Sequence, residues 1–243
     1  MLRILLAILS IVTIVFIPTN TTALTTNTYQ IEVIVFSHLT STGVSQENWP
    51  QTYITPFNLE NSTTLFQDPN NQNPIATYTL LPNKLLGLTT ESNKLAQHPD
   101  YKTLIHVAWR QQIPKNTNKD STIHLYGGVG YNAQGTAKTF DSTQTQPFNS
   151  VNTWQVNAIL QLSLNRYINT KFNAVFAIPT KQLKHLNTGT NNQDLGNKSI
   201  SFITLKQSRR MKSYELNYID NPLYGILIKI TPVPSKNPTT SAS

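Results

Sequence analysis

"TWQVNAILQLSLN", residues 153–165, is the stretch on which the fold turns. Trp154, Val156, Ala158, Leu160, Leu162 and Leu164 alternate with Gln155, Asn157, Ile159, Gln161, Ser163 and Asn165. A helix brings its apolar side chains round every three or four positions, whereas a strand does so every second one. The period of two therefore predicts a strand with one core-facing side. Phe172, Ala174, Phe176 and Ile178 repeat the period, and a hairpin would lay them beside the first strand.

Working outward, Ser121–Tyr131 ("STIHLYGGVGY") and Tyr101–Gln112 read as two further strands, the second stopped by Pro114. Gly127-Gly128 marks a bulge or kink in the first. In "TYQIEVIVFS" (28–37) Ile31, Val33 and Val35 alternate with Glu32, Ile34 and Phe36, so both faces are apolar near the centre. That pattern predicts a strand buried on both sides. Ser199–Gln207, Met211–Ile219 and Leu223–Thr231 complete the strands, with a polar linker over 180–198 and a long polar connection over 38–78. Leu81, Leu85, Leu88, Ser92, Leu95 and Ala96 fall at steps of three and four, predicting one helix over Leu80–Gln97 with Pro82 in its first turn. The expected class is α+β, a largely antiparallel sheet of about seven strands with one main helix. An outer-membrane barrel fits less well, since the aromatic girdles are missing and a helix and long polar loops interrupt the strands.

The chain starts with Met1-Leu2-Arg3, an apolar run from Ile4 to Ile17, then Pro18, Asn20 and a small residue at Ala23. This is the layout of a signal peptide over residues 1–23, cleaved after Ala23 and delivering the chain to the periplasm. The apolar run falls short of the roughly 20 residues a spanning helix needs, so the mature protein is expected not to span a membrane. Residues 24–232 then form a single binding domain, and the Pro/Ser/Thr-rich 233–243 a disordered tail. With no cysteine in the chain, disulfide scaffolds, thiol nucleophiles, thiolate metal sites and a lipidated cysteine are all excluded.

Loss of Arg3 with the leader lowers the formal charge from +8 to +7. A basic exported protein meets anions such as wall stem peptides, lipid head groups or nucleic acid. Nucleic acid is disfavoured, for there is no basic run, RNP motif or zinc knuckle. His38, His98, His106, His124 and His185 form no HExxH or other close ligand pair, so no metal or other cofactor is expected. No GxSxG elbow is present, and "GGVG" (127–130) lacks the context of a phosphate loop. Hydrolysis of a glycan would need two carboxylates. Glu215 and Asp220 are the one close pair with polar neighbours, and on one strand they would face opposite ways. No catalytic residue is assigned.

"RRMKSYELNYIDNP" (209–222) concentrates ionic and aromatic groups in a chain that is only 12% charged. One reading is an ordinary strand-turn-strand, with Arg209 and Arg210 paired to Glu215 or Asp220, and Tyr214, Leu216 and Tyr218 on one face. The other is a recognition surface. Arginine grips carboxylates through a planar fork, and tyrosine offers a ring face and a hydroxyl together. A wall polymer carries both carboxylates and sugars.

Four blocks resemble the CsiV family, periplasmic peptidoglycan-binding proteins of gammaproteobacteria. They are "YQIEVIVFS" (29–37) followed by "ENWP" (47–50), "YKTLIHVAWRQ" (101–111), the alternating strand around Leu160–Leu164, and "RRMKSYELNYIDNPLYGILIKI" (209–230). The last departs from the family pattern at Asn217 and Asn221, where histidines are expected. The resemblance implies a non-enzymatic accessory protein that binds peptidoglycan. It also implies partners in wall synthesis, a class A penicillin-binding protein or its outer-membrane lipoprotein activator. Placed on these blocks, the candidate binding residues are Arg209, Arg210, Tyr214 and Tyr218, then Glu215, Trp109, Arg110 and Gln111. The rival readings are an adaptor that meets an acidic protein, and a hydrolase using Glu215 and Asp220.

Overall fold

The hairpin expected from residues 153–178 is formed. β6 (Thr153–Leu164) runs antiparallel to β7 (Ile168–Pro179), with Leu160 opposite Phe172 and Ala158 opposite Ala174. The computed structural model describes residues 28–40, 62–65, 78, 80–115, 122–138, 151–186 and 198–234. The expected leader, the "ENWP" block, most of the 38–78 connection and the tail beyond 234 lie outside the described residues.

The remaining strands are β1 (Thr28–His38), β2 (Thr63–Thr64), β3 (Tyr101–Gln112), β4 (Thr122–Tyr131), β5 (Ala137–Lys138), β8 (Ile200–Met211), β9 (Leu216–Asn221) and β10 (Tyr224–Pro232). They do not form the one sheet expected from the sequence. They form two, in the orders β3-β1-β10-β9 and β2-β4-β6-β7-β8, with β5 added beside β4. Every described pairing is antiparallel except β2 with β4. One core lies between the sheets: Ile31, Val33 and Val35 of β1, Ile226 and Ile228 of β10, Leu160 and Leu162 of β6, and Phe172 and Phe176 of β7. The rings of Phe176 and Tyr224 stack across this interface, centroids 3.8 Å apart. Each fully buried side chain of this size contributes about 1.5–3 kcal/mol.

β1 is buried on both faces, as its sequence requires. Its second face, Ile34 and Phe36, packs under Leu88 and Leu95 of the helical segment, together with Tyr101 and Leu227. That segment is shorter than the expected Leu80–Gln97. Leu80 bridges Trp109, and the Leu81 N–H donates to the Ala108 carbonyl (2.8 Å), so residues 80–81 extend the sheet. A 3-10 turn (Asn83–Leu85) follows, then α1 (Thr89–Gln97). The Gly87 and Leu88 N–H groups donate to the carboxylate of Glu32 at 2.7 and 2.9 Å, which fixes the start of the helix over β1. Leu85, expected in the apolar stripe, is 43% exposed. Among the described residues no helix is long and apolar enough to cross a membrane.

Two further differences concern the C-terminal half. The expected linker opens with a helix, α2 (Thr180–Leu186), held by buried Leu183. The strands expected over 199–207 and 211–219 are redrawn as β8 and β9. Met211 still belongs to β8, buried and hydrogen-bonded through its sulfur to Thr170, and the chain turns only at Tyr214, whose φ is 71°.

Candidate functional site

β8 and β9 are end strands of different sheets, and the short turn 212–215 carries the chain from one to the other. Most of the candidate residues sit on this corner. Arg209 and Arg210 stand opposite Thr170 and Asn169 of β7, and both are exposed. Neither pairs with Glu215 or Asp220 as the plainer reading of the sequence supposed: Glu215 faces Lys212, 3.5 Å away, and Asp220 accepts the phenol proton of Tyr218. In the turn, Tyr214 is 65% exposed, and its N–H donates to the Ile230 carbonyl.

On β9, Leu216 and Tyr218 point out of the sheet opposite Lys229 and Leu227 of β10. Tyr218 is 46% exposed yet fixed in direction. Its ring lies parallel to Phe36, at 6.2 Å and 9°, and its hydroxyl donates to Asp220 Oδ1 at 2.5 Å. Burial, then the Asp220 carboxylate, push the Tyr218 phenol well above the usual tyrosine range, so it stays a donor. Phe36 reaches Tyr218 because Gly225 lies between them. A Cβ at 225 would stand 2.1 Å from Phe36 Cζ. The aromatic row continues from Phe36 to Tyr101 (5.4 Å, edge-on) and on to His98 (4.8 Å).

The block over 101–111 divides. Trp109 and Gln111 face the core, fully buried and 2% exposed, and the indole N–H donates to Gln111 Oε1 at 2.6 Å. Neither can meet a ligand, which corrects their assignment as binding residues. Alternation is the physical reason: Trp109 pairs with Ile31 on the core face, and Arg110 turns outward opposite Gln30. Arg110 is exposed, but β3 and β9 are opposite ends of the sheet, about 14 Å apart at the usual strand spacing. It is no part of the corner.

Asn217 and Asn221, the two departures from the family pattern, have backbone roles. Asn221 Oδ1 accepts the Leu223 N–H at 3.1 Å across the turn into β10, and Asn217 donates to the Glu215 carbonyl. Glu215 lies in the turn and Asp220 in β9, both exposed and each engaged with its own neighbour. The arrangement does not set two carboxylates across a cleft. Among the described residues no three His, Asp or Glu side chains converge on a point that could hold a metal. Sequence reasoning missed Phe36 and Gly225, which hold Tyr218 in place; the glycine one residue after the "PLY" turn was the available signal.

The sequence model of a family described as "Peptidoglycan-binding protein, CsiV" matches residues 2–233. No curated protein and no solved structure matches the chain.

Proposed function

The chain belongs to the CsiV family of peptidoglycan-binding proteins, and from that premise we propose that it is a periplasmic wall-binding accessory protein. It acts without catalysing a reaction, and supports wall synthesis through a class A penicillin-binding protein or its lipoprotein activator. The observation that carries the reading is the corner 209–218. There an outward tyrosine ring on β9, held by Phe36 and Asp220, follows eight residues after two exposed arginines at the end of β8 that form no ion pair with the acidic residues of their own block. A preset ring loses little freedom on binding, and arginine forks match the carboxylates of stem peptides.

The test is co-sedimentation of the purified 24–243 protein with isolated sacculi at low and high salt, with the supernatant assayed for released muropeptides. Pelleting with a clean supernatant supports the reading. Released muropeptides would favour a hydrolase, and failure to pellet at any salt would leave the adaptor reading in front.

A further inference from the structure

The two sheets part at one end of the core, where β1 runs out, β10 begins and β4 is bulged, and a cavity of about 130 Å³ opens there. The bulge makes it. Between Gly127 and Gly130, β4 advances three residues while β6 advances two, from Val156 to Trp154. Such an insertion re-aims the side chains around it. Gln155, which strict alternation sends away from the core, is instead buried at 8%, accepts the Val129 N–H and lines the cavity. Gly128, at φ 76°, leaves no room for a side chain against it.

The lining has a consistent chemistry. Tyr131 and Tyr224 are buried among its lining residues, burial raises both phenols so that both stay protonated, and the Tyr224 hydroxyl is hydrogen-bonded to Gln155. Lys102 and Gln182, both exposed, stand at the mouth. No carboxylate is present among the described lining residues. His38 reaches the lining from the other face of β1: its ring packs against Phe36 and Tyr101, and its Nδ1 lies 3.1 Å from the Pro222 carbonyl.

Polar donors beside a cation, with no carboxylate among the described lining residues, suit a carboxylate, the group that ends a peptide. Size narrows the choice, since a cavity of about 150 Å³ takes the six heavy atoms of benzene. A terminal alanine residue, counted from its nitrogen to both carboxylate oxygens, also has about six. We propose that this cavity is a second site, separate from the 209–218 corner, which takes the carboxyl-terminal alanine of a wall stem peptide. The choice of a stem peptide as its source rests on the wall-binding reading.

Calorimetric titration with a diacetylated Lys-D-Ala-D-Ala peptide tests it, beside the peptide's carboxamide and its all-L form. The free acid should bind. The carboxamide, and the Lys102→Ala and Gln182→Glu variants at their unchanged melting temperatures, should each weaken binding about tenfold, the worth of one charge-assisted hydrogen bond. Equal binding of the carboxamide overturns the carboxylate site. Equal or tighter binding of the all-L peptide overturns the wall source and gives the site to a protein terminus. If the protein pellets with sacculi but ignores the free acid, the cavity assignment falls and the wall-binding reading stands.

Discussion

Glu32 and His106 sit on neighbouring strands with Nε2 of the ring 2.8 Å from Oε1 of the carboxylate, under the start of α1. The carboxylate is 3% exposed, and it also accepts the Gly87 and Leu88 N–H groups. A buried charge is tolerated only when its hydrogen-bonding capacity is filled, and here a helix start and a ring on the adjoining strand fill it. Glu32 thus ties α1 to the centre of the sheet, on the face whose uncovered side carries Tyr218.

Glu32→Ala should cost at least about 1–3 kcal/mol in urea unfolding, the range for leaving a buried donor without its acceptor, since three donors lose theirs. A loss below about 1 kcal/mol would mean the three donors are resolvated and the tie is not structural.

Acid should destabilise the fold in two stages. Burial is the largest influence on His124 and lowers its pKa from the ordinary 6.5, against the opposing hydrogen bond that its ring donates to Asn157 Oδ1. The folded protein then binds the proton less readily than the unfolded chain, so this stability is whole above pH 6.5 and is lost as pH falls through the folded value. For Glu32, burial pushes the carboxyl up, but hydrogen bonds from His106, Gly87 and Leu88 outweigh it and leave it below the ordinary 4.5. Its contribution is whole above pH 4.5 and is lost below. Melting temperature against pH should show both declines, with His124→Gln removing the first and Glu32→Gln the second.

Gly225→Ala should destabilise by about 2–3 kcal/mol, because the new methyl group enters the space of the Phe36 ring. In a Phe36→Ala background the same change should cost far less, since the ring it collides with is gone. A double-mutant cycle in urea reads the difference. Additive losses would show that Phe36 does not fill the space above Gly225.

The core was legible where period alone decides. The Leu160–Leu164 face, the two-sided burial of Ile31 to Phe36 and the Gly127-Gly128 bulge follow from alternation and from what glycine allows. Partition into two sheets was not legible, because each strand shows its own faces but not its partner. Trp154 shows the limit within one strand. Alternation puts it with Val156, yet beyond the bulge it lies outside the core cluster, its ring 5.4 Å from Tyr126. The helix was overdrawn because Leu81 and Leu85 fit its period while the backbone of 80–81 was already committed to β3. At the site, chemistry singled out Arg209, Arg210 and Tyr218. It could not separate Arg110 from Trp109 and Gln111, which differ only in the face they occupy.

That difference is measurable. Trp109→Ala should cost about 3–5 kcal/mol of stability, as removal of a buried aromatic does. Arg209→Ala with Arg210→Ala, both at exposed positions, should stay within about 0.5 kcal/mol per site while weakening sacculus binding. If the double variant pellets like the parent, the arginines are not the carboxylate contact.

Salt should separate the arginines from the tyrosine. Raising salt from 0.1 to 1 M shortens the Debye length from about 10 Å to about 3 Å, which weakens exposed charge contacts and leaves stacking largely untouched. The parent should therefore lose part of its sacculus binding in 1 M salt and keep a residue. The Arg209→Ala, Arg210→Ala variant should begin near that residue and respond little to salt. Tyr218→Ala should show the converse, some binding at low salt and almost none at high. Its stability should fall only modestly, because the lost ring is 46% exposed and the phenol it removes is bonded only to surface Asp220. Parallel salt curves for the parent and Tyr218→Ala would mean that the ring, though fixed against Phe36, makes no contact with the wall polymer.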